Sequence, residues 1–490
     1  MILENNKHWL KQQADVIPDL TAVISSEKTI SFAELYKLSI GFAVQLKLYG
    51  IKENENVGIL FNHGYEIFIA VNAIWFVGAI PVLLNPKDTQ EEIDYKVVKA
   101  KINFLIHDEF SNNRLIKAEG VTNILYLRNN LEESLHSTLF TLHSSFFIRN
   151  PALILFTSGS SGKPKAVVHT FHSLYESVKA TDSFSELSSK DIWLSSLPQY
   201  HIGGFMIFVR SLLSGAVCAC PNSLKYEDVE YAMDKFKPTH ISIVSTTLQK
   251  FLTNNVTPYK KLRIVFLGGG YLDTKLCEEA ISKGWAIVKV YGSSETCSMV
   301  AALSVNDFLH YPDSAGKAIG NNKIMIKNTN SSKNLSTENS DEILVKSGSL
   351  FKEYFGDDEL TKKKLVDGCY RTGDFGRIDE DGYLYIESRR EDIVITGGEN
   401  VSVMEVESII KTNKKVKDAF VFGINDKAWG QRLCAAVVAN ELDSDEIKEY
   451  LKRKTAPYKI PKEYFFVKEI PKTELGKVNR TLLFSQLSLS

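Results

Sequence analysis

Along the first two thirds of the chain, apolar residues alternate between two spacings. In SFAELYKLSIGFAVQLKLYG (31–50) and GYEIFIAVNAIWFV (64–77) they recur every three to four positions, which predicts helices. Between and after them, NVGILF (56–61) and AIPVLL (79–84) are short continuous apolar runs of strand length. The alternation returns in THISIVS, TTLQKFL, KLRIVFLGGG, DTKLCEEAISKG and AIVKVYGSSE, between 239 and 295. Strands alternating with helices predict an α/β fold with layers of largely parallel sheet. Two of these strands run straight into Gly/Ser-rich turns, and ligands of open α/β sheets gather beyond the carboxyl ends of strands.

The texture changes near Ser314. KIMIKNTNSSKNLSTENSDEILVKSG (323–348) predicts two strands joined by a polar surface connection, and Asp381-Gly382 between apolar-rich stretches predicts a tight hairpin. After residue 388 the chain restarts with short elements: helices in VMEVESIIKT and SDEIKEYLKRK, strands in AFVFG and CAAVVAN. The expected organisation is a large N-terminal domain over 1–388, with a β-rich subdomain from about 314 to 388, and a small α+β C-terminal domain over 389–490. The longest apolar stretch, Ile67 to Leu84, has nearly the length of a membrane span. Asn72, Gly78 and Pro81 interrupt it, so it reads as a buried helix ending near Gly78, followed by a core strand.

Charge is nearly balanced, 58 basic against 59 acidic residues, which gives no general attraction to nucleic acid or to an acidic membrane surface. The six cysteines have no paired spacing for zinc, and the start lacks a basic segment followed by an apolar one; both predict a cytoplasmic protein with reduced thiols.

The stretch TSGSSGKPKA (157–166) mixes hydroxyls, glycines and lysines after the apolar run Ala152–Phe156. It is not the nucleoside-triphosphatase P-loop. Gly159 and Gly162 are too close, and Pro164 after Lys163 supplies neither a hydroxyl for a metal nor an N–H for a phosphate. Strand-like Ala166–Val168 follows, and a helix cap comes only at Thr170. The reading is strand, loop, strand, with the loop able to fold over a triphosphate.

With TSGSSGKPK stand LPQYHIGG (197–204), YGSSET (291–296), YRTGD (370–374), SRREDIV (388–394) with GGEN (397–400), and PKTELGK (471–477). In this order and over nearly the whole chain they resemble the adenylate-forming superfamily of acyl-CoA synthetases, amino-acid adenylation domains and luciferases. LGGG (267–270) and YGSSETCS (291–298) are most similar to the branch that activates o-succinylbenzoate in menaquinone biosynthesis.

The resemblance implies transfer of AMP from ATP to a carboxylate, release of pyrophosphate, and transfer of the acyl group to a thiol. ATP, Mg2+ and coenzyme A would be the cofactor and co-substrates, and a small carboxylic acid the other partner; the oligomeric state is open, a homodimer being one option. The resemblance assigns Thr157, Ser158, Gly159, Ser160, Ser161, Gly162 and Lys165 to the β- and γ-phosphates. Gly268, Gly269 and Gly270 would wall the adenine, Tyr291 would stack on it, and Gly292, Ser293 and Ser294 would border the nucleotide, Ser294 beside the α-phosphate. Glu295 would bind Mg2+ and Asp374 the ribose hydroxyls, with Arg389 approaching the ribose or phosphate. Lys477 would be the catalytic lysine, reaching carboxylate and α-phosphate together. His201 would line and gate the acyl pocket, with Thr296 and Ser298 facing the acid.

Glu391 and Asp392 would form the hinge on which the small domain swings between the two half-reactions, Glu391 standing where relatives carry Asp or Lys. Ala166 replaces the usual glycine that ends the phosphate loop and would strain a loop requiring a positive φ there. Residue chemistry alone leaves simpler roles for several of these: a core tyrosine, a turn-capping Asp374, a solvated Lys477. Another aromatic or fatty acid as substrate, a separate carrier protein as acceptor, and a nucleotide binder without catalysis are the competing functions.

Overall fold

The computed structural model describes residues 7–88, 90–108, 121–125, 148–157, 164–269, 272–326, 341–389, 393–396, 399–426, 430–455, 457–473 and 476–489. Two large sheets dominate. One runs in the order Lys317–Ala318, Ser298–Leu303, Ile287–Ser293, Ile264–Leu267, His240–Ile243, Ile192–Leu194, Val217–Ala219, Thr21–Ile24, Thr29–Ser31. Its interior from Ile287–Ser293 to Thr21–Ile24 is parallel, and the pairings outside that are antiparallel. The second runs Glu353–Tyr354, Lys165–Thr170, Pro151–Thr157, Ile80–Leu83, Asn56–Leu60, Phe104–His107, Thr122–Leu125, antiparallel only at its first two pairings.

The apolar run at 67–84 is a helix, Glu66–Val77, ending at Gly78, then strand Ile80–Leu83. Every side chain from Ile67 to Val77 is buried, because the helix lies between the sheets and its neighbours cover it all round. Each large apolar side chain so buried contributes about 1.5–3 kcal/mol. Asn72, the polar member of the run, donates its Nδ2 to the Phe68 carbonyl at 2.7 Å, so the amide nitrogen is paired within the helix. Among the described residues no helix is long and apolar enough to cross a membrane.

The β-rich stretch is less self-contained than its composition suggests. Lys323–Ile326, Asp341–Lys346, Cys369–Ile378, Leu365–Val366 and Leu384–Arg389 form one antiparallel sheet, but Lys317–Ala318 and Glu353–Tyr354 are given to the two large sheets. The Asp381-Gly382 turn is longer than a two-residue hairpin; Asp379 to Tyr383 connect the strands, closed by the Gly382 N–H on the Asp379 carbonyl. The hairpin's last strand extends through Arg389. A separate sheet then begins at Ile393, in which Gly430–Ala439 is the central strand and Val416–Asp426 its long antiparallel partner at the edge. Its core of Val394, Val401, Val406, Val421, Leu433 and Leu451 is distinct from those of the large domain.

Five cysteines, Cys218, Cys220, Cys277, Cys297 and Cys434, are buried, and Cys369 is part-exposed. Burial pushes the thiols of Cys277 and Cys434 up to about 11 and that of Cys297 up to about 12.

Candidate active site

The phosphate-loop sequence is framed as its pattern predicts. Strand Pro151–Thr157 enters and antiparallel Lys165–Thr170 leaves, with Thr157 opposite Lys165 at the mouth. Ser158, Gly159, Ser160, Ser161 and Gly162 lie outside the described residues. Ala166 does not carry the strain expected of it. It is a buried strand residue opposite Phe156, absent from the positive-φ positions, and its carbonyl accepts from the Phe355 N–H at 2.8 Å. A β-region residue tolerates a Cβ without penalty, so no glycine is needed there. Thr170 caps helix Phe171–Ser185 through a capping box with Ser173.

The second motif is a strand that turns back on itself. Ile287–Ser293 pairs antiparallel with Ser298–Leu303, and Ser294 to Cys297 make the turn. Cys297 and Ser298 have φ of +56° and +84°, costly for two successive non-glycine residues at about 1–3 kcal/mol each. Thr296 holds that geometry. Its hydroxyl accepts from the Ser293 N–H at 2.7 Å and lies 2.8 Å from the Ser298 carbonyl, and the side chain is buried. Thr296 was expected to face the acid; the structure commits its hydroxyl to the turn, leaving Ser298, part-exposed, as the hydroxyl on this strand open to a ligand. On the strand just before the turn, Gly292 packs so tightly that a Cβ would overlap the Ser298 carbonyl.

Tyr291, part-exposed at the end of its strand, donates its phenol to Asp374 Oδ2 at 2.7 Å. Burial, and after it the Asp374 charge, push the phenol well above its usual range, so it remains a donor. Asp374 is buried and lies directly opposite Arg389 across the hairpin, so the two residues expected at the ribose share one rung of sheet. Gly268 follows strand Ile264–Leu267 and faces Val290; a Cβ there would meet Val290 Cγ2 at 2.6 Å. Gly269 borders Val244, at the end of the next strand. Gly270, Glu391 and Asp392 lie outside the described residues.

Glu295 carries the carboxylate expected at the metal. Its Oε1 accepts from the Tyr354 phenol at 2.8 Å and its carbonyl from the Phe351 N–H at 2.8 Å. Among the described residues no group of three or more His, Cys, Asp or Glu side chains could hold a metal unaided. The Glu295 carboxylate is the oxygen donor that suits Mg2+, which takes one or two protein carboxylates and completes its shell with phosphate and water oxygens.

His201 is the extended N-cap of helix Ile202–Ser214, with its ring 4.6 Å from that of Tyr200. Lys477 sits on a hairpin closed by Thr473 N–H to the Lys477 carbonyl and Asn479 N–H to the Pro471 carbonyl. Lys472, at the hairpin base, pairs with Asp418 at 2.8 Å, and Lys411 reaches the same carboxylate at 2.9 Å. The tip touches the large domain: a Cβ on Gly476 would stand 3.2 Å from Thr246 Cγ2. Thr246 is the second residue of helix Ser245–Thr253, which follows strand His240–Ile243, and stands two residues from Val244 beside Gly269. The Lys477 hairpin therefore meets the large domain beyond the carboxyl end of strand His240–Ile243, whose neighbour leads into Gly268 and Gly269.

Sequence reasoning missed three residues here: Thr246, Tyr354 and His169. His169 Nε2 lies 2.7 Å from the Ser294 carbonyl and Nδ1 lies 3.2 Å from the Ser173 hydroxyl. A carbonyl only accepts, so Nε2 carries the hydrogen. Complete burial pushes this ring down to about 4, and burial pushes His240, tilted against Trp193, to about the same value. Between the ordinary value of 6.5 and about 4, the unfolded chain binds protons that these folded histidines refuse. Stability is therefore expected to be insensitive to them above pH 6.5 and to fall as pH drops through that window, by up to about 1.4 kcal/mol per pH unit for each. Denaturant midpoints at pH 7.5, 6 and 5 measure this, and His169→Gln should flatten the fall.

The chain matches the AMP-binding enzyme family over residues 10–355 and the AMP-binding enzyme C-terminal domain over 405–477. It is 31% identical to the 2-succinylbenzoate–CoA ligase of Bacillus licheniformis across 98% of this chain and 99% of that one. Its fold is similar, at a TM-score of 0.88 and 29% identity, to o-succinylbenzoate CoA synthetase from Bacillus subtilis in complex with the acyl-adenylate intermediate OSB-AMP, covering 97% of this chain and 98% of the other. The same synthetase in complex with ATP and magnesium ion also gives 0.88 at 29% identity, covering 97% and 99%.

Proposed function

This chain belongs to the AMP-binding enzyme family, and on that premise we propose that it is an ATP-dependent ligase joining 2-succinylbenzoate to coenzyme A. A carboxylate acylates nothing by itself, because oxide would have to leave. One of its oxygens attacks the α-phosphorus of ATP, the bond to the β-phosphate oxygen breaks, and pyrophosphate departs, leaving an acyl-adenylate. The CoA sulfur then attacks the acyl carbon, AMP leaves, and the thiol proton passes to solvent.

The protein's share is positioning and charge stabilisation. Thr157 and Lys165 stand where the phosphate loop begins and ends. Asp374 accepts from the ribose hydroxyls once the nucleotide is bound, and Tyr291, tethered to it, offers its ring to the base. Glu295 would hold Mg2+, which supplies neutralisation of the phosphate charge. His201, at a helix N-terminus, and Ser298 line the acid's side.

The observation that supports the reading best is the bond from Tyr291 to Asp374, which joins two motifs 83 residues apart at one place, with Gly476 of the Lys477 hairpin beside Thr246 of the large domain. The test is pyrophosphate release with ATP, Mg2+ and CoA over a panel of acids. Release confined to 2-succinylbenzoate, with its CoA thioester formed, is the expected result. Release with a benzoate or fatty acid instead would overturn the substrate, and transfer only to a carrier protein would overturn the acceptor.

A further inference from the structure

The segment 349–355 works as a clip between the turn that carries Glu295 and the strand that leaves the phosphate loop. On one side Ser349 donates its hydroxyl to the Thr296 carbonyl at 3.0 Å, Phe351 N–H donates to the Glu295 carbonyl at 2.8 Å, and the Tyr354 phenol donates to Glu295 Oε1 at 2.8 Å. On the other, Lys352 N–H donates to the Val168 carbonyl and Phe355 N–H to that of Ala166, both at 2.8 Å, and Tyr354 lies opposite Val167 in the sheet. The Tyr354 ring is 2% exposed, and Lys165 Nζ stands 5.9 Å from its centroid.

We propose that Tyr354 is a positioning residue for nucleotide activation: its phenol fixes the Glu295 carboxylate at a set distance from Lys165, so that metal and triphosphate are gripped in register. The inference rests on the reading of Glu295 as the metal carboxylate. A glutamate side chain has three rotatable bonds, and holding one oxygen removes most of that freedom before the cation arrives. The donor leaves the carboxylate's charge in place while occupying a single oxygen, Oε1. Any buried phenol needs a partner. This one is spent on the metal carboxylate, although its own strand is sewn to the phosphate-loop side.

The test is Tyr354→Phe, which keeps the ring over which Lys165 sits and removes only the donor. Calorimetric binding of ATP is measured with increasing Mg2+ and in excess chelator, alongside the Mg2+ dependence of pyrophosphate release and the melting temperature. The Mg2+ needed for half-saturation is expected to rise about tenfold, the scale of losing a hydrogen bond to a charged group. Binding of ATP in chelator should stay within twofold of the parent. Equal losses with and without Mg2+, or an unchanged Mg2+ requirement, would mean that the bond is only structural and would overturn the proposal. Glu295→Gln run in parallel separates the two claims. If it shifts the Mg2+ requirement and Tyr354→Phe does not, the positioning role fails and the metal assignment stands; if Glu295→Gln itself leaves the requirement unchanged, both fail. Should the phenylalanine variant not fold, Tyr354→Met carries the same expectation in the same assays.

Discussion

Lys477→Ala is expected to slow pyrophosphate release by about 10²–10³-fold, the usual loss when one preorganised charge is removed from a developing anion. Conversion of supplied acyl-adenylate and CoA into thioester should change by no more than a few-fold. The split follows from where the lysine is held. Its hairpin is fastened to the small domain by Lys472 on Asp418, an exposed pair of modest strength, and it meets the large domain through Gly476 on Thr246. On the proposed function, Lys477 acts at the large domain's site only while that contact is made, and adenylation is the step that would need a cation between carboxylate and α-phosphate. Rapid-quench measurement of each half-reaction reads the two rates. Equal losses in both would place Lys477 in general folding or nucleotide binding, and no loss in either would remove it from the chemistry.

Gly292→Ala should be the most damaging single methyl in the site, costing about 3–5 kcal/mol of stability, at the extreme of single substitutions. The Cβ would overlap a backbone carbonyl, that of Ser298, so no side chain can rotate out of the way. The two strands would have to part at the rung beside Tyr291, and the strained Cys297-Ser298 pair would lose the register that Thr296 maintains. Gly203→Ala serves as the comparison: its Cβ would meet only the Leu197 side chain, at 3.4 Å, inside a helix where alanine is favoured. Urea denaturation of the two variants should differ sharply, and a Gly292→Ala midpoint near that of the parent would contradict the packing described.

Much of this was legible in the sequence, and the reasons are local. The helix at 66–77, the strand–loop–strand around 157–165 and the cap at Thr170 follow from periodicity, length and short-range hydrogen bonding, which act within a few residues. Tyr291, Glu295, Asp374 and Lys477 stood out as candidates because they sit in short motifs of fixed order. What stayed hidden depends on residues far apart in sequence. Nothing around His169 announces a bond to Ser294, and Tyr354 reads as one more aromatic in a β-rich stretch. Thr296 misled in the opposite direction. A hydroxyl beside a site looks like a ligand group until the backbone turn that needs it is seen. Ala166 did likewise, its departure from the usual glycine being harmless because the position is extended strand.

The distribution of the cysteines gives the molecule a built-in point of attachment. Five of the six thiols are buried, three of them pushed up to between about 11 and about 12, where little thiolate is present at neutral pH. Cys369 alone is part-exposed, and it opens the strand that runs through Asp374 and pairs with the one ending at Arg389. A fluorophore coupled to the native protein through sulfur therefore settles on the strand bordering the passage from the large domain to the small one. It needs no engineered residue and no removal of native ones, so the small-domain movement that the hinge motif leads one to expect can be tested optically in the unmodified sequence.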